Sequence, residues 1–127
     1  MSFVATTTRA LPPPPRPLRD GGPHAAKRAA LPAAAHRDEL LLALKAPVCI
    51  VEGETGSGKT TQVAQYLLED AAKHGQRISI VCTQPRRIAA IGVAERVAAE
   101  RGERCGAGAV GYAVRGESKQ SASTSLL

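Results

Sequence analysis

Residues 48–62, VCIVEGETGSGKTTQ, limit the possible folds of this chain more than any other stretch. Gly53-Glu54-Thr55-Gly56-Ser57-Gly58-Lys59-Thr60 fits G-x-x-x-x-G-K-[ST] without a substitution. The apolar run Val48-Cys49-Ile50-Val51 predicts a short buried strand. Glycines at the following turn let the backbone bend tightly and aim its N–H groups into a concave nest. From Thr60 the pattern is helical, so a helix N-terminus adds unpaired donors and a favourable dipole for an anion. Lys59 brings a full positive charge, and the Thr60 hydroxyl is an oxygen ligand suited to a hard cation such as Mg²⁺. A plain Gly/Ser turn between strand and helix leaves Lys59 and the two threonines, Thr60 and Thr61, unexplained.

Periodicity orders the rest. Residues 37–45 predict a helix with Leu40, Leu41 and Leu44 on one face, Asp38 and Glu39 in its first turn, and Pro47 ending it. A helix from Thr60 to about His74 places Val63, Ala64, Leu67, Leu68 and Ala71 on one stripe, with Gly75 as its stop. Ile78-Ser79-Ile80-Val81-Cys82 predicts a second strand, and a strand, helix and strand in this order imply a right-handed parallel unit. A helix follows over residues 87–101, with Ile88, Ile91, Ala94, Val97 and Ala98 inward. Residues 112–115 predict a short strand, the stretch 116–125 is polar and serine-rich, and Leu126-Leu127 predict the start of another strand. The fold class is therefore α/β, with a parallel sheet flanked by helices.

Charge is unevenly placed. The formal net charge is +6, and residues 1–37 carry six basic groups (Arg9, Arg16, Arg19, Lys27, Arg28, Arg37) against one acid, Asp20. The remainder is nearly balanced, so the basic character belongs to the N-terminal segment and does not by itself argue for nucleic-acid binding. Residues 1–36, with Pro12 to Pro15, Pro17, Gly21-Gly22-Pro23 and an alanine-rich end, read as a disordered Pro/Ala-rich tail with few large apolar groups to offset ordering. An organellar transit peptide and a polyproline ligand are the competing interpretations of that tail. Cys49, Cys82 and Cys105 have no metal-ligand spacing, which suits a reducing, intracellular (cytoplasmic or nuclear) compartment. No apolar run approaches membrane-spanning length.

Strand two runs into Thr83-Gln84-Pro85-Arg86-Arg87, two arginines at the carboxyl edge of a parallel sheet, where open α/β folds bind ligands and where guanidinium forks suit phosphate oxygens. Taken together, GETGSGKTTQ, CTQPRRIAA, AERVAAE and VGYAVR resemble the DEAH-box/RNA helicase A-like family of superfamily 2 helicases, over about residues 37–127. The wording is closest to the branch with large RNA- and G-quadruplex-unwinding members. The resemblance implies a P-loop NTPase (RecA-like) lobe that uses ATP and Mg²⁺ and works on RNA, possibly DNA. It implies that Gly53, Glu54, Thr55, Gly56, Ser57, Gly58, Lys59, Thr60 and Thr61 hold the ATP phosphates. It further implies that Arg86 grips a nucleic-acid backbone within a loop shaped by Thr83, Gln84, Pro85 and Arg87, and that Arg96 stacks on the nucleotide base. An ordinary exposed helix arginine paired with Glu100 at i+4 is the alternative for Arg96.

The family's Asp-Glu-x-His motif, its Ser-Ala-Thr motif and its second lobe do not occur in these 127 residues. Residues 37–127 are thus expected to correspond to the N-terminal part of a first RecA-like lobe, truncated before Asp-Glu-x-His, with nucleotide binding but no catalysis of its own. A short non-catalytic nucleotide- or partner-binding protein is the alternative. A small-molecule kinase is a further one, against which residues 83–87 argue.

Overall fold

A computed structural model describes residues 10–18 and 22–127 of the chain. In chain order it contains α1 (Ala25–Ala29), α2 (Pro32–Ala35), α3 (Arg37–Ala43), α4 (Lys59–Lys73), α5 (Arg87–Glu100), β1 (Tyr112–Val114) and β2 (Glu117–Lys119). It is a small α/β domain.

The two long helices follow from their sequence. Val63, Ala64, Leu68 and Ala71 of α4 are buried, as are Ala94, Val97 and Ala98 of α5. Both helices end as their glycines predict. Gly75 takes φ 63°, the Gln76 N–H donates to Ala71 O (2.8 Å), and the Gly75 N–H donates to Ala72 O (3.2 Å). Gly102 repeats the device at φ 65°, with the Glu103 N–H on Ala98 O (2.9 Å). A left-handed glycine after the last turn lets the backbone double back and satisfy the orphan carbonyls. Ile88 is the exception on α5: it is 84% exposed, because the packed cluster takes the helix only from Ile91 onward.

The core joins Ala64 and Leu68 of α4, Ala94, Val97 and Ala98 of α5, and Ile80, Val110, Tyr112 and Leu126 from the extended segments. Among the described residues regular sheet is confined to the antiparallel pair β1–β2, in the register Tyr112↔Lys119, Ala113↔Ser118, Val114↔Glu117. Among the described residues parallel pairing occurs only as isolated bridges, Ile80↔Leu126 and Val110↔Leu126. They are carried by the Ile80 N–H on Ser125 O (2.6 Å), the Leu127 N–H on Ile80 O (2.9 Å) and the Gly111 N–H on Leu126 O (2.9 Å). Leu126-Leu127, expected to start another strand, supply backbone to these bridges but form no regular strand. The polar, serine-rich stretch after residue 115, for which no strand was predicted, begins by returning as β2 through Arg115-Gly116, with Gly116 at φ 81°.

The expected parallel sheet, with a strand at residues 78–82, is not formed among the described residues, where that segment carries only isolated bridges. Two further expectations need correction. Residues 48–51 form no strand, and Val48 and Ile50 are each 82% exposed. An apolar strand of this kind is stable when neighbours cover it on both sides, and among the described residues no backbone pairs with it. Second, the segment before residue 37 is not a bare extension where it is described. Its α1 and α2 lie upstream of α4, with Arg28 and Ala33 buried. Composition missed this because the attachment is made by Arg28, by backbone and by Leu31, rather than by a run of large apolar groups. The expectations for residues 1–9 and 19–21 lie outside the described residues.

Candidate functional site

Loop 53–58 leads directly into α4. Gly56 (φ 85°) and Gly58 (φ 95°) are both left-handed, a conformation that costs other residues about 1–2 kcal/mol. Gly58 caps α4, and its carbonyl accepts the Gln62 N–H (2.8 Å). A Cβ at Gly58 would stand 3.0 Å from Leu31 Cδ1 and 3.2 Å from Gln62 Cγ, so a side chain there would add crowding to the strained backbone. The Lys59 ammonium is turned back onto its own loop. It donates to Gly53 O, to Glu54 O (2.8 Å) and to Ser57 Oγ (3.2 Å). The Ser57 N–H in turn bonds Glu54 O (3.2 Å). Thr61 Oγ1 contacts Gly58 O at 3.5 Å. Thr55 and Gly56 are exposed at the tip. The loop borders an open cavity of about 560 Å³, whose lining also includes Pro32, Ala33 and Leu40.

Behind the loop lies a buried polar network. Gln62 and Gln65 of α4 are fully buried. Both donate to Glu100 Oε2 on α5, at 2.9 and 2.8 Å. Arg28 donates from Nε to Gln62 Oε1 (2.8 Å) and from a terminal nitrogen to Glu69 Oε1 (2.5 Å). Arg96 Nε donates to Glu100 Oε1 (2.6 Å), the i+4 pairing its spacing allows. Burial opposes ionisation of Glu100, but hydrogen bonds from Arg96, Gln62 and Gln65 outweigh it and hold the carboxyl below the usual range. Burial also raises the Tyr66 hydroxyl, against the opposing charge of Arg28. The hydrophobic stripe of α4 gave no sign that Gln62 and Gln65 face inward. A glutamine pair at i, i+3 opposite an acid at the end of the next helix was the available signal.

The second cluster sits where residue 82 leads into α5. Thr83, Pro85, Arg86 and Arg87 are exposed, and Gln84 Nε2 contacts Cys82 Sγ at 3.5 Å. The two arginines differ. Arg87 is committed to Arg115 O (2.6 Å) and Glu117 Oε2 (2.8 Å), whereas Arg86 has no side-chain partner among the described residues. Arg86 lines an open groove of about 340 Å³ with Thr83, Gln84, Val114 and Arg115. Glu117, drawn below its ordinary range by its hydrogen bond to Tyr112 and by the charges of Arg87 and Lys119, is the anchor for Arg87. The fold thus holds the loop and the arginine edge on one small domain, with α5 carrying Arg87 at its start and Arg96 near its end.

No family model matches the chain. Individual proteins do. It is 55% identical over 103 residues to the DExH-box ATP-dependent RNA helicase DExH3 of Arabidopsis thaliana, covering 79% of this chain and 8% of that protein. With DExH1 of the same plant it shares 50% over 103 residues, 79% of this chain and 10% of the relative. The ATP-dependent DNA/RNA helicase DHX36 of Homo sapiens is 56% identical over 75 residues, 57% of this chain and 7% of the relative. By these similarities the sequence is of the ATP-dependent helicase class. More narrowly, over about four-fifths of its length the chain is a DExH/DEAH-box helicase sequence. It spans a tenth or less of the length of these relatives.

Proposed function

We propose that this chain binds the phosphates of ATP through loop 53–60, as the ATP-binding portion of a DEAH-box type ATP-dependent RNA helicase. The carrying observation is the loop itself: two left-handed glycines and a lysine whose ammonium gathers loop oxygens at the N-terminus of a fifteen-residue helix. An ammonium already held at the loop's centre stands where triphosphate oxygens would replace the carbonyls. Backbone donors of residues 56–60 and the α4 dipole add to it. Thr60, with no side-chain hydrogen bond among the described residues, is free to offer its hydroxyl to Mg²⁺, which would neutralise phosphate charge. Arg96, tied at one nitrogen and still half-exposed, is the residue for the base. Free Arg86 serves the nucleic-acid backbone, RNA or DNA. In this proposal residues 37–127 belong to a RecA-like lobe whose parallel sheet the bridges at Leu126 begin, and unwinding belongs to a longer parent.

The test is binding of a labelled ATP analogue with Mg²⁺. Lys59→Ala should lower affinity at least tenfold, since a hydrogen bond to a charged group contributes about 1.5–3 kcal/mol. Equal affinity in parent and variant would remove the assignment.

A further inference from the structure

The loop is held from outside by residues 28–33, which lie upstream of α3. Ala33 donates its N–H to Ser57 O at 3.0 Å. Leu31 lies against the open face of Gly58, 3.0 Å from where a Cβ would be. Arg28, 9% exposed, fixes this segment to α4 through Gln62 and Glu69, with its Nε also 3.9 Å from Glu100 Oε2. The points gripped, Ser57, Gly58 and Gln62, bracket Lys59 on both sides.

We propose that Arg28, Leu31 and Ala33 form a positioning strut that sets the conformation of the phosphate loop, making the upstream helices part of the nucleotide-binding apparatus. The proposal rests on the reading of loop 53–60 given above. Residues 53–56 are exposed, so the loop's shape depends on the few contacts that reach it. Lys59 supplies contacts from within, and those are the ones a triphosphate would take over. The Ala33 and Leu31 contacts lie on the side of Ser57 and Gly58 facing α2 and stay in place when the ammonium is drawn to a ligand. A loop ordered in advance loses less entropy on binding. Arg28 is the anchor because a neutral side chain there would leave Glu69 and Glu100 without its charge.

The experiment measures affinity for a labelled ATP analogue with Mg²⁺, and amide hydrogen exchange, on the full chain. Arg28→Gln and Leu31→Ala should each weaken binding about tenfold, the equivalent of removing one charge-assisted hydrogen bond. The Ala33 amide should lose protection while Leu68 and Val97 amides in the core keep theirs. Arg28→Lys, which keeps the charge but not the two-way fork, should recover part of the affinity. Leu31→Ala leaves the ion pairs intact and decides the matter should Arg28→Gln fail to fold. Affinities equal to the parent's overturn the strut, as does an equal fall in protection at Ala33, Leu68 and Val97, which would reduce its effect to general stability. A parent chain that binds no analogue overturns the nucleotide reading instead; the strut then stands on weaker Ala33 protection in Leu31→Ala and falls if that protection is unchanged.

Discussion

Glu100 is the residue on which the interior polar contacts converge. Its side chain is 3% exposed, and it is ionised there because Arg96, Gln62 and Gln65 all donate to it. A carboxyl whose folded pKa lies below its unfolded value adds stability that is complete above the ordinary carboxylate pKa and is lost as pH falls through the folded value. For Glu100 that loss begins below the ordinary 4.5. Thermal midpoints measured from pH 7 to pH 3 should therefore fall in the parent. In Glu100→Gln they should start lower at pH 7 and fall less steeply, leaving the slope due to other acids such as Glu117. Parallel curves would contradict the assignment of ionised Glu100 to this network. Gln62, at the end of the G-x-x-x-x-G-K-[ST] stretch, shares the arrangement: its amide accepts from Arg28 and donates to Glu100, so neither charge meets an apolar wall.

At the scale of elements, deletion of residues 1–36 separates composition from structure. Composition makes that segment dispensable. In the fold it supplies Arg28 to two acids and α2 to the loop. Breaking a buried pair by removing one partner costs about 3–5 kcal/mol, so the deletion should lower the thermal midpoint by roughly ten degrees or more in a domain this size. An unchanged midpoint in calorimetry would restore the view of a solvated tail. The helices α4 and α5 were legible because 3.6-residue periodicity and stop glycines act within one segment, and the loop because its glycines carry a backbone requirement. Strand 48–51 was not, because an apolar run states only that it needs neighbours. Pairing is a property of other parts of the chain, and here Val48 and Ile50 have none among the described residues. β2 was hidden for the opposite reason: Glu117, Ser118 and Lys119 are polar, and the hairpin is fixed by Gly116 and by Tyr112 meeting Glu117. Of the site, the Lys59 loop was readable and the commitment of Arg87 was not, since its partners Arg115 and Glu117 lie 28 and 30 residues away.

At the scale of the molecule, grip and catalysis separate. A loop that holds a ground-state triphosphate does not speed its hydrolysis; that needs contacts stronger in the transition state. Glu52 and Glu54 are the acids beside the loop, both exposed, and neither stands at the end of a separate strand. Loss of an arginine finger alone lowers such rates by about 10³–10⁵. Residues 1–127 should therefore release phosphate no faster than the Lys59→Ala protein, with or without single-stranded RNA. Stimulated turnover above that control would require a catalytic acid elsewhere in this chain. Binding is the more direct question, because it isolates what loop 53–60 contributes. Competition against a labelled ATP analogue, in the presence of Mg²⁺, should rank unlabelled ligands by their phosphates: ATP and ADP should displace it, while AMP and adenosine, lacking the phosphates that the proposal assigns to Lys59 and the α4 N-terminus, should not. Displacement by adenosine as strong as by ATP would mean that the base alone is recognised, and would contradict the phosphate loop on which the account rests.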